Sequence, residues 1–425
     1  MITSNFISLP LALPLAIIAL LFSTAACSES STERSLTDNT VTETRNIKTS
    51  DQVATQAHDK KPSFTTKTIA EFDEPWAMTA LPKTAGSHDN VPLKILVTQK
   101  TGELFVVDTA TGKKISVTGI PKVAYGGQGG LGDIILAPDF AISNNVYLSY
   151  VEAGSNGNTF GAKVIKAKLT GLNSNSPSLQ TITPIWQQTP KVSGQGHYSH
   201  RLLFSPDGKY LYISSGERQK QVPAQDMSVN LGKIIRLNPD GSIPADNPFA
   251  DSKKDTTANN DIAKQFWTLG NRNVLGMAFD NKGRLWANEM GPRGGDELNL
   301  IEKGNNYGWP AVSNGRNYSG IDIPDHKTRP EFTAPKVSWT PVISPSAMSI
   351  YSSGTYNDFP AWQGNALISG LSSKALIVVA FDDNNATERY RYDMGARMRS
   401  VLEVEGQVWA LEDGDKGKLL QLLPN

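Results

Sequence analysis

Three stretches of this chain bring together residue types that can do chemistry. The first, Gly126-Gly127-Gln128-Gly129-Gly130-Leu131-Gly132-Asp133, is a glycine-rich loop followed by Ala137-Pro138-Asp139-Phe140 and the apolar run NNVYLSYV. Glycines let a backbone approach a ligand closely, and Gln128 can both donate and accept hydrogen bonds; a plain loop between two sheets has the same composition. The second, Gly196-His197-Tyr198-Ser199-His200-Arg201, precedes the run LYISSGE, which ends in Glu217. A histidine with a carboxylate one strand away is what proton abstraction needs, because the carboxylate orients the ring and stabilises its protonated form. The residues alone leave His197 and His200 as equal candidates for the base, and leave open a histidine that merely bonds a neighbouring sheet. The third runs from Gly270-Asn271-Arg272-Asn273 through Glu289-Met290-Gly291-Pro292-Arg293-Gly294-Gly295-Asp296-Glu297 to Asn305-Asn306-Tyr307-Gly308-Trp309-Pro310. Its oxygen donors and irregular turns suit Ca²⁺, which takes roughly six to eight oxygens and accepts backbone carbonyls; a tightly turned surface loop is the alternative.

These stretches sit among short β-rich runs split by Gly, Asn and Asp turns: LKILVTQ then TGELFVVD, KYLYISSG then GKIIRLNPDG, with further turns at Pro206-Asp207-Gly208 and Asn281-Lys282-Gly283. Period-two runs with tight turns indicate an all-β, antiparallel domain, and long amphipathic helical stretches are scarce. At this length a β-propeller fits better than a sandwich, since each blade uses about four strands and the closed ring protects strand edges. The internal repeat does not by itself set the number of blades.

Residues 1–27 form an apolar run closed by Thr24-Ala25-Ala26 and Cys27, the layout of an export signal. Cys27 is the only cysteine, so intrachain disulfides are excluded; it is the candidate lipidated residue of a bacterial lipoprotein, against the alternative of ordinary cleavage near Ala25-Ala26. Residues 28–62 are polar, poor in aromatics, and expected to be a disordered tether, leaving 63–425 as the folded domain. The expected location is the periplasm, with any membrane attachment made only through lipid on Cys27, as an outer-membrane anchor. Lys+Arg and Asp+Glu both total 41, so the bulk charge suggests no nucleic-acid partner.

The three blocks, in this order and spacing, together with Pro75-Trp76, Ala224-Gln225-Asp226 and Gly232-Lys233-Ile234-Ile235-Arg236-Leu237, resemble the PQQ-dependent glucose/sorbosone dehydrogenase family, nearest its soluble aldose sugar dehydrogenase branch. The likeness runs from Phe64 to Leu423. It implies a six-bladed β-propeller that binds pyrroloquinoline quinone (PQQ) at one mouth of the central channel, uses Ca²⁺, and oxidises an aldose to its lactone. Electrons would then pass to an external acceptor, a quinone, cytochrome or dye.

By the same resemblance His197 is the general base, because the family's His-x-x-x-Arg pattern ends at Arg201 and His200 falls where relatives usually have Gly. Glu217 matches the carboxylate partnering the base. Gln128, Arg272, Asn273, Tyr318, Arg397 and Arg399 match positions that hold PQQ. Its three carboxylates suit guanidinium forks, and residues two apart on a strand share a face. Gly291 and Pro292 match carbonyl ligands of the catalytic Ca²⁺, and Glu297 and Tyr307 a second calcium site. The chain departs from the pattern at Val274-Leu275-Gly276, at Met290, at Ser400 and at Ser372, where relatives carry a PQQ-contacting Lys; Lys374 is the candidate substitute if its loop shifts by two residues. Two readings of other classes compete: a PQQ-free propeller acting as a cell-surface binding module, and a Ca²⁺-dependent lactonase or hydrolase. The latter gives the paired arginines no role.

Overall fold

The computed structural model describes residues 61–83, 92–250 and 261–425. The expected export signal, Cys27 and the tether as far as residue 60 lie outside the described residues. Lys61, placed in the tether by sequence, already touches the domain: its ammonium donates to the Arg391 carbonyl at 2.6 Å and lies 4.2 Å from the Tyr392 ring centroid.

Six four-stranded antiparallel sheets make up the described residues. Blades 1 to 5 are each contiguous, spanning residues 75–116, 131–187, 199–269, 274–339 and 345–393. Blade 6 takes three strands from 398–424 and its outermost strand, Phe64–Phe72, from the start of the domain. Phe64–Phe72 pairs along its length with Gly417–Pro424, so backbone hydrogen bonds between the two ends of the domain close the ring. The chain therefore forms the expected all-β, six-bladed propeller; the one α-helix described is the single turn Phe140–Ser143.

Sequence pattern follows position within a blade. Middle strands are covered on both faces by neighbouring blades, which is why Asn145–Ala153 reads as an almost unbroken apolar run and is buried through most of its length. Outer strands face water on one side, and Asn385–Asp393 (NATERYRYD) alternates accordingly. Aromatic rings fill the space between blades. Trp286 of blade 4 packs on Phe381 of blade 5 at 4.4 Å between centroids, and Phe359 stacks on Trp362 at 4.0 Å with Phe64 of the closing strand edge-on to both. Truncating a fully buried tryptophan such as Trp362 to alanine would destabilise by about 3–5 kcal/mol.

The six innermost strands, Pro75–Leu81, Leu131–Leu136, Ser199–Phe204, Val274–Phe279, Pro345–Ile350 and Met398–Val404, pack against one another around the axis. Every one of them carries a register break in its first few residues: Pro75/Ala77, Leu131/Ile134, Ser199/Leu202, Val274/Gly276, Pro345/Met348 and Met398/Ser400. A β-bulge re-aims a side chain that a regular strand would send into the blade. Six bulges at corresponding strand starts therefore build a ring of redirected side chains at one mouth of the channel.

Candidate active site

That mouth holds a cavity of about 340 Å³. Residues at four of the six bulges, Trp76, His200, Leu275 and Arg399, line it, joined by Gln128, Asn273, Arg397 and Asp413 from the adjoining loops. The glycine loop that precedes the blade 2 bulge contributes Gly127 and Gln128. Its other glycines serve protein contacts rather than a ligand: a Cβ on Gly132 would lie 2.0 Å from Cε1 of His200, and one on Gly130 would lie 2.1 Å from the Lys100 carbonyl oxygen.

His197 and Glu217 meet behind the cavity wall: neither lines it, and His197 reaches it through Gln128 and its chain neighbour Tyr198, which do. The His197 N–H donates to the Gln128 side-chain oxygen at 2.7 Å, and Nδ1 lies 2.5 Å from Oε1 of Glu217. Both side chains are buried. Burial pushes the His197 pKa below its usual value, a shift that the Glu217 bond opposes and the Arg272 guanidinium reinforces. Burial also pushes the Glu217 carboxyl up, but its bonds to His197 and to the Gln221 N–H outweigh that and hold it low. The pair at neutral pH is thus a neutral imidazole and a carboxylate; Nδ1 carries the proton donated to Glu217, and Nε2 is left with the free lone pair. His197, Ser199 and His200 have φ of 46°, 58° and 52°, left-handed values that non-glycine residues rarely adopt, and such strain gathers at functional sites.

The other histidine of the block is built differently. The Ser149 hydroxyl donates to the His200 carbonyl at 2.8 Å, so His200 Nδ1, also 2.8 Å from Oγ, must be the donor to it. The ring stacks on Trp76 at 4.8 Å and burial drives its pKa down to about 3. Among the described residues His200 has no carboxylate partner and stays neutral, whereas His197 has Glu217; His200 is the one of the two whose side chain lines the cavity.

Across the cavity Arg397 and Arg399 share one acid. Nε of Arg397 donates to Oδ2 of Asp413 at 2.9 Å, and Arg399 donates through Nε and Nη2 to Oδ1 at 2.8 and 2.6 Å. Asp413 was not singled out from the sequence. No strand pattern announces it, because it lies in the turn after Gln407–Glu412 and meets the arginines only across the blade. The remaining N–H groups of Arg397 and Nη1 of Arg399 have no protein acceptor among the described residues and edge a cavity that also offers the Gln128 and Asn273 amides. This donor set fits a flat polycarboxylate. Three expected members lie elsewhere: Tyr318 is 73% exposed, Lys374 is exposed in the turn after Ala366–Gly370, and Arg272 faces a neighbouring smaller cavity.

The glucose/sorbosone dehydrogenase family model matches residues 72–421. The chain belongs to this family. It is 38% identical over 363 residues to the aldose sugar dehydrogenase of Escherichia coli, covering 83% of this chain and 91% of that protein. It is 31% identical to quinoprotein glucose dehydrogenase B of Acinetobacter calcoaceticus, covering 53% of this chain and 49% of that protein. Among solved structures, the apo form of the soluble E. coli aldose sugar dehydrogenase superposes with a TM-score of 0.74 at 35% identity, covering 85% of this chain and all of the other. The PQQ-bound aldose sugar dehydrogenase of Streptomyces coelicolor superposes with a TM-score of 0.67 at 26% identity, covering 86% and 99%.

In this glucose/sorbosone dehydrogenase a second, smaller cavity of about 10 Å³ adjoins the first, with Met290 in the wall of both. Met290 packs on Trp76, Ala77 and Leu275, giving that wall an apolar side. Gly291, Pro292, Glu297, Tyr307 and Arg272 line the smaller cavity, which has room for about one atom-sized occupant. Asp296 shapes the loop: its carboxylate accepts the N–H groups of Gly291, Ile343 and Ser344 at 2.8, 2.8 and 2.7 Å. A Cβ on Gly291 would fall 2.3–2.4 Å from the backbone of Gly294 and Gly295, so only glycine permits the turn.

No N–H among the described residues reaches the Gly291 or Pro292 carbonyls, and Glu297 is buried opposite Glu289 in the strand register. Burial, with the Glu289 carboxylate beside it, holds the Glu297 pKa well above the usual range. Unclaimed carbonyls beside a buried acid fit a hard cation. Tyr307 is engaged at both polar ends: its hydroxyl donates to the Leu300 carbonyl at 2.6 Å and accepts from the Glu302 N–H at 3.0 Å, and its own carbonyl accepts from His326 Nε2 at 3.2 Å. Glu289, flagged by sequence only as part of its block, carries the loop bearing two expected cofactor residues: its carboxylate accepts the backbone N–H groups of Arg272 and Asn273 and the Asn271 side chain. Arg272 itself donates through Nη1 to the Met290 carbonyl at 3.0 Å and lines the smaller cavity, not the larger.

Proposed function

We propose that this protein is a PQQ-dependent aldose sugar dehydrogenase in which His197 is the general base and Ca²⁺ is required. The observation that carries the reading is the His197–Glu217 pair at 2.5 Å, joined by the His197 N–H to Gln128 in the wall of a cavity edged by Arg397, Arg399 and Asn273. When bound, PQQ supplies the two-electron acceptor for hydride leaving the sugar's anomeric carbon. The chain's own residues do the rest. The Nε2 lone pair of His197 takes the proton of the anomeric hydroxyl, and the imidazolium so formed is stabilised by the Glu217 carboxylate at Nδ1. With hydride and proton gone from C1–O–H, the sugar leaves as the lactone.

Arg397 and Arg399, held by Asp413, grip cofactor carboxylates, and Gln128 and Asn273 orient its polar edge. Ca²⁺ would be held by the carbonyls of Gly291 and Pro292, with Glu297 in the wall of the same one-ion cavity. Electrons leave for an external acceptor. The protein is exported to the periplasm and anchored through lipid on Cys27, a reading supported by residues 1–27.

Dye-linked oxidation of a panel of aldoses by the purified protein, with and without PQQ and Ca²⁺, tests the assignment. Turnover that needs both additions supports it. Absence of turnover with every aldose, together with no PQQ binding, returns the chain to the class of binding propellers.

A further inference from the structure

The pocket carries a cation outside the set of residues matched to the cofactor. Lys100 follows the second strand of blade 1, Lys94–Gln99, and lines the same cavity as Arg397 and Arg399. Its backbone is pinned from two sides, the N–H donating to the Glu74 carbonyl and the carbonyl accepting from the Leu131 N–H, both at 3.0 Å. The ammonium donates to Oε1 of Glu74 at 3.0 Å, and its side chain is only 12% exposed. The other Glu74 oxygen accepts the Tyr125 phenol. Glu74 in turn donates its backbone N–H to the carbonyl of Gly414, the residue after Asp413. One short path thus links the acid that holds Lys100 to the acid that holds both arginines.

The two arrangements have the same logic. A carboxylate from a neighbouring turn takes one side of each cation and fixes its direction, while other donors stay available. An ammonium has three donors, and Glu74 engages one. At this end of the cavity three cations, Lys100, Arg397 and Arg399, stand against two carboxylates, Glu74 and Asp413. A neutral sugar has no need of that surplus, whereas a carboxylate does. The turn after blade 5's strand Ala366–Gly370 supplies no cation: it gives the wall Leu371, Ser372 donates its hydroxyl to the Val342 carbonyl at 3.3 Å, and Lys374 faces outward.

We propose that Lys100, from blade 1, is the third cationic anchor of the quinone cofactor and binds one of its carboxylates in place of the lysine missing at Ser372. The inference rests on the PQQ-dependent reading above.

The test is equilibrium binding, not turnover: PQQ titrated into the metal-replete, PQQ-free full-length protein, followed by tryptophan fluorescence, to which Trp76 in the cavity wall contributes. Lys100→Met is expected to weaken PQQ about 10- to 100-fold, the loss of one charge-assisted hydrogen bond. Lys100→Arg should recover most of it, and Lys374→Met should bind as the wild type does. PQQ trimethyl ester, which lacks the carboxylate charges, should bind wild type and Lys100→Met alike. If Lys100→Met is unstable because Glu74 is left unpaired, the Glu74→Gln/Lys100→Met double variant takes its place. Undiminished PQQ binding by a folded variant without Lys100 overturns the inference and leaves the functional reading intact; a wild type that binds no PQQ overturns both.

Discussion

Nδ1 of His197 lies 2.5 Å from Oε1 of Glu217, and Glu217 is fixed in turn by the backbone N–H groups of Gln219 and Gln221, which donate to its two oxygens. The His197 ring is therefore oriented by a carboxylate that the following turn prevents from rotating. Removing the imidazole should remove proton abstraction and little else. His197→Ala is expected to lower kcat by about two to four orders of magnitude with PQQ affinity within a few-fold of wild type, as read by steady-state kinetics and cofactor titration. Near-normal turnover would reject the role.

The pH profile gives an independent reading of the pair. Burial outweighs Glu217 and places the His197 pKa below its usual ~6.5, so activity should fall on acidification only below that value. Glu217→Gln deletes the one interaction that raises the pKa. The acid limb of kcat/KM should then move to still lower pH, while kcat on the plateau drops about 10- to 100-fold because the imidazolium loses its counter-charge. An acid limb that stays in place would show that His197 is not the titrating group.

His200 should affect stability. Its pKa is about 3 in the folded protein against ~6.5 unfolded, so the unfolded chain binds one more proton between those values and stability must fall as pH drops through that window. His200→Gln should flatten the stability-versus-pH curve from chemical denaturation there by about 1.4 kcal/mol per pH unit. An unchanged slope would contradict the buried neutral ring.

Gly132 and His200 should be coupled energetically. Since a Cβ at Gly132 would fall 2.0 Å from the His200 ring, Gly132→Ala should destabilise by about 1–3 kcal/mol in the wild type. In a His200→Gly background the same change should be nearly neutral, a coupling that a double-mutant cycle of unfolding free energies measures. Additive effects would deny the contact.

Calcium should act on the folded state. A ligand bound only by the native protein raises Tm with its concentration, so chelation should lower Tm and abolish turnover, and added Ca²⁺ should reverse both. Glu297→Gln should shrink the Ca²⁺-dependent part of Tm, as differential scanning calorimetry would show. Indifference of Tm to chelator and calcium would remove the metal assignment.

Much of this protein was legible before any coordinates. Alternating and continuous apolar runs with Gly, Asn and Asp turns specify antiparallel blades, because burial on one face or two writes itself directly into side-chain pattern. The blocks around His197, Arg272 and Gly291 likewise mark where polar chemistry is concentrated. What the chain order could not show is which of those residues share a space. Tyr318 and Lys374, matched by pattern, lie outside the cavity, whereas Lys100 and Asp413, in unremarked turns of blades 1 and 6, lie within it. The bulges decide this: a one-residue slip at the start of each innermost strand turns Trp76, His200, Leu275 and Arg399 toward the mouth. Local pattern, then, determined the blades and the kinds of residue available for catalysis. The cavity itself exists only where six distant strand starts converge on the axis, and closing the ring is a long-range event that no local pattern records.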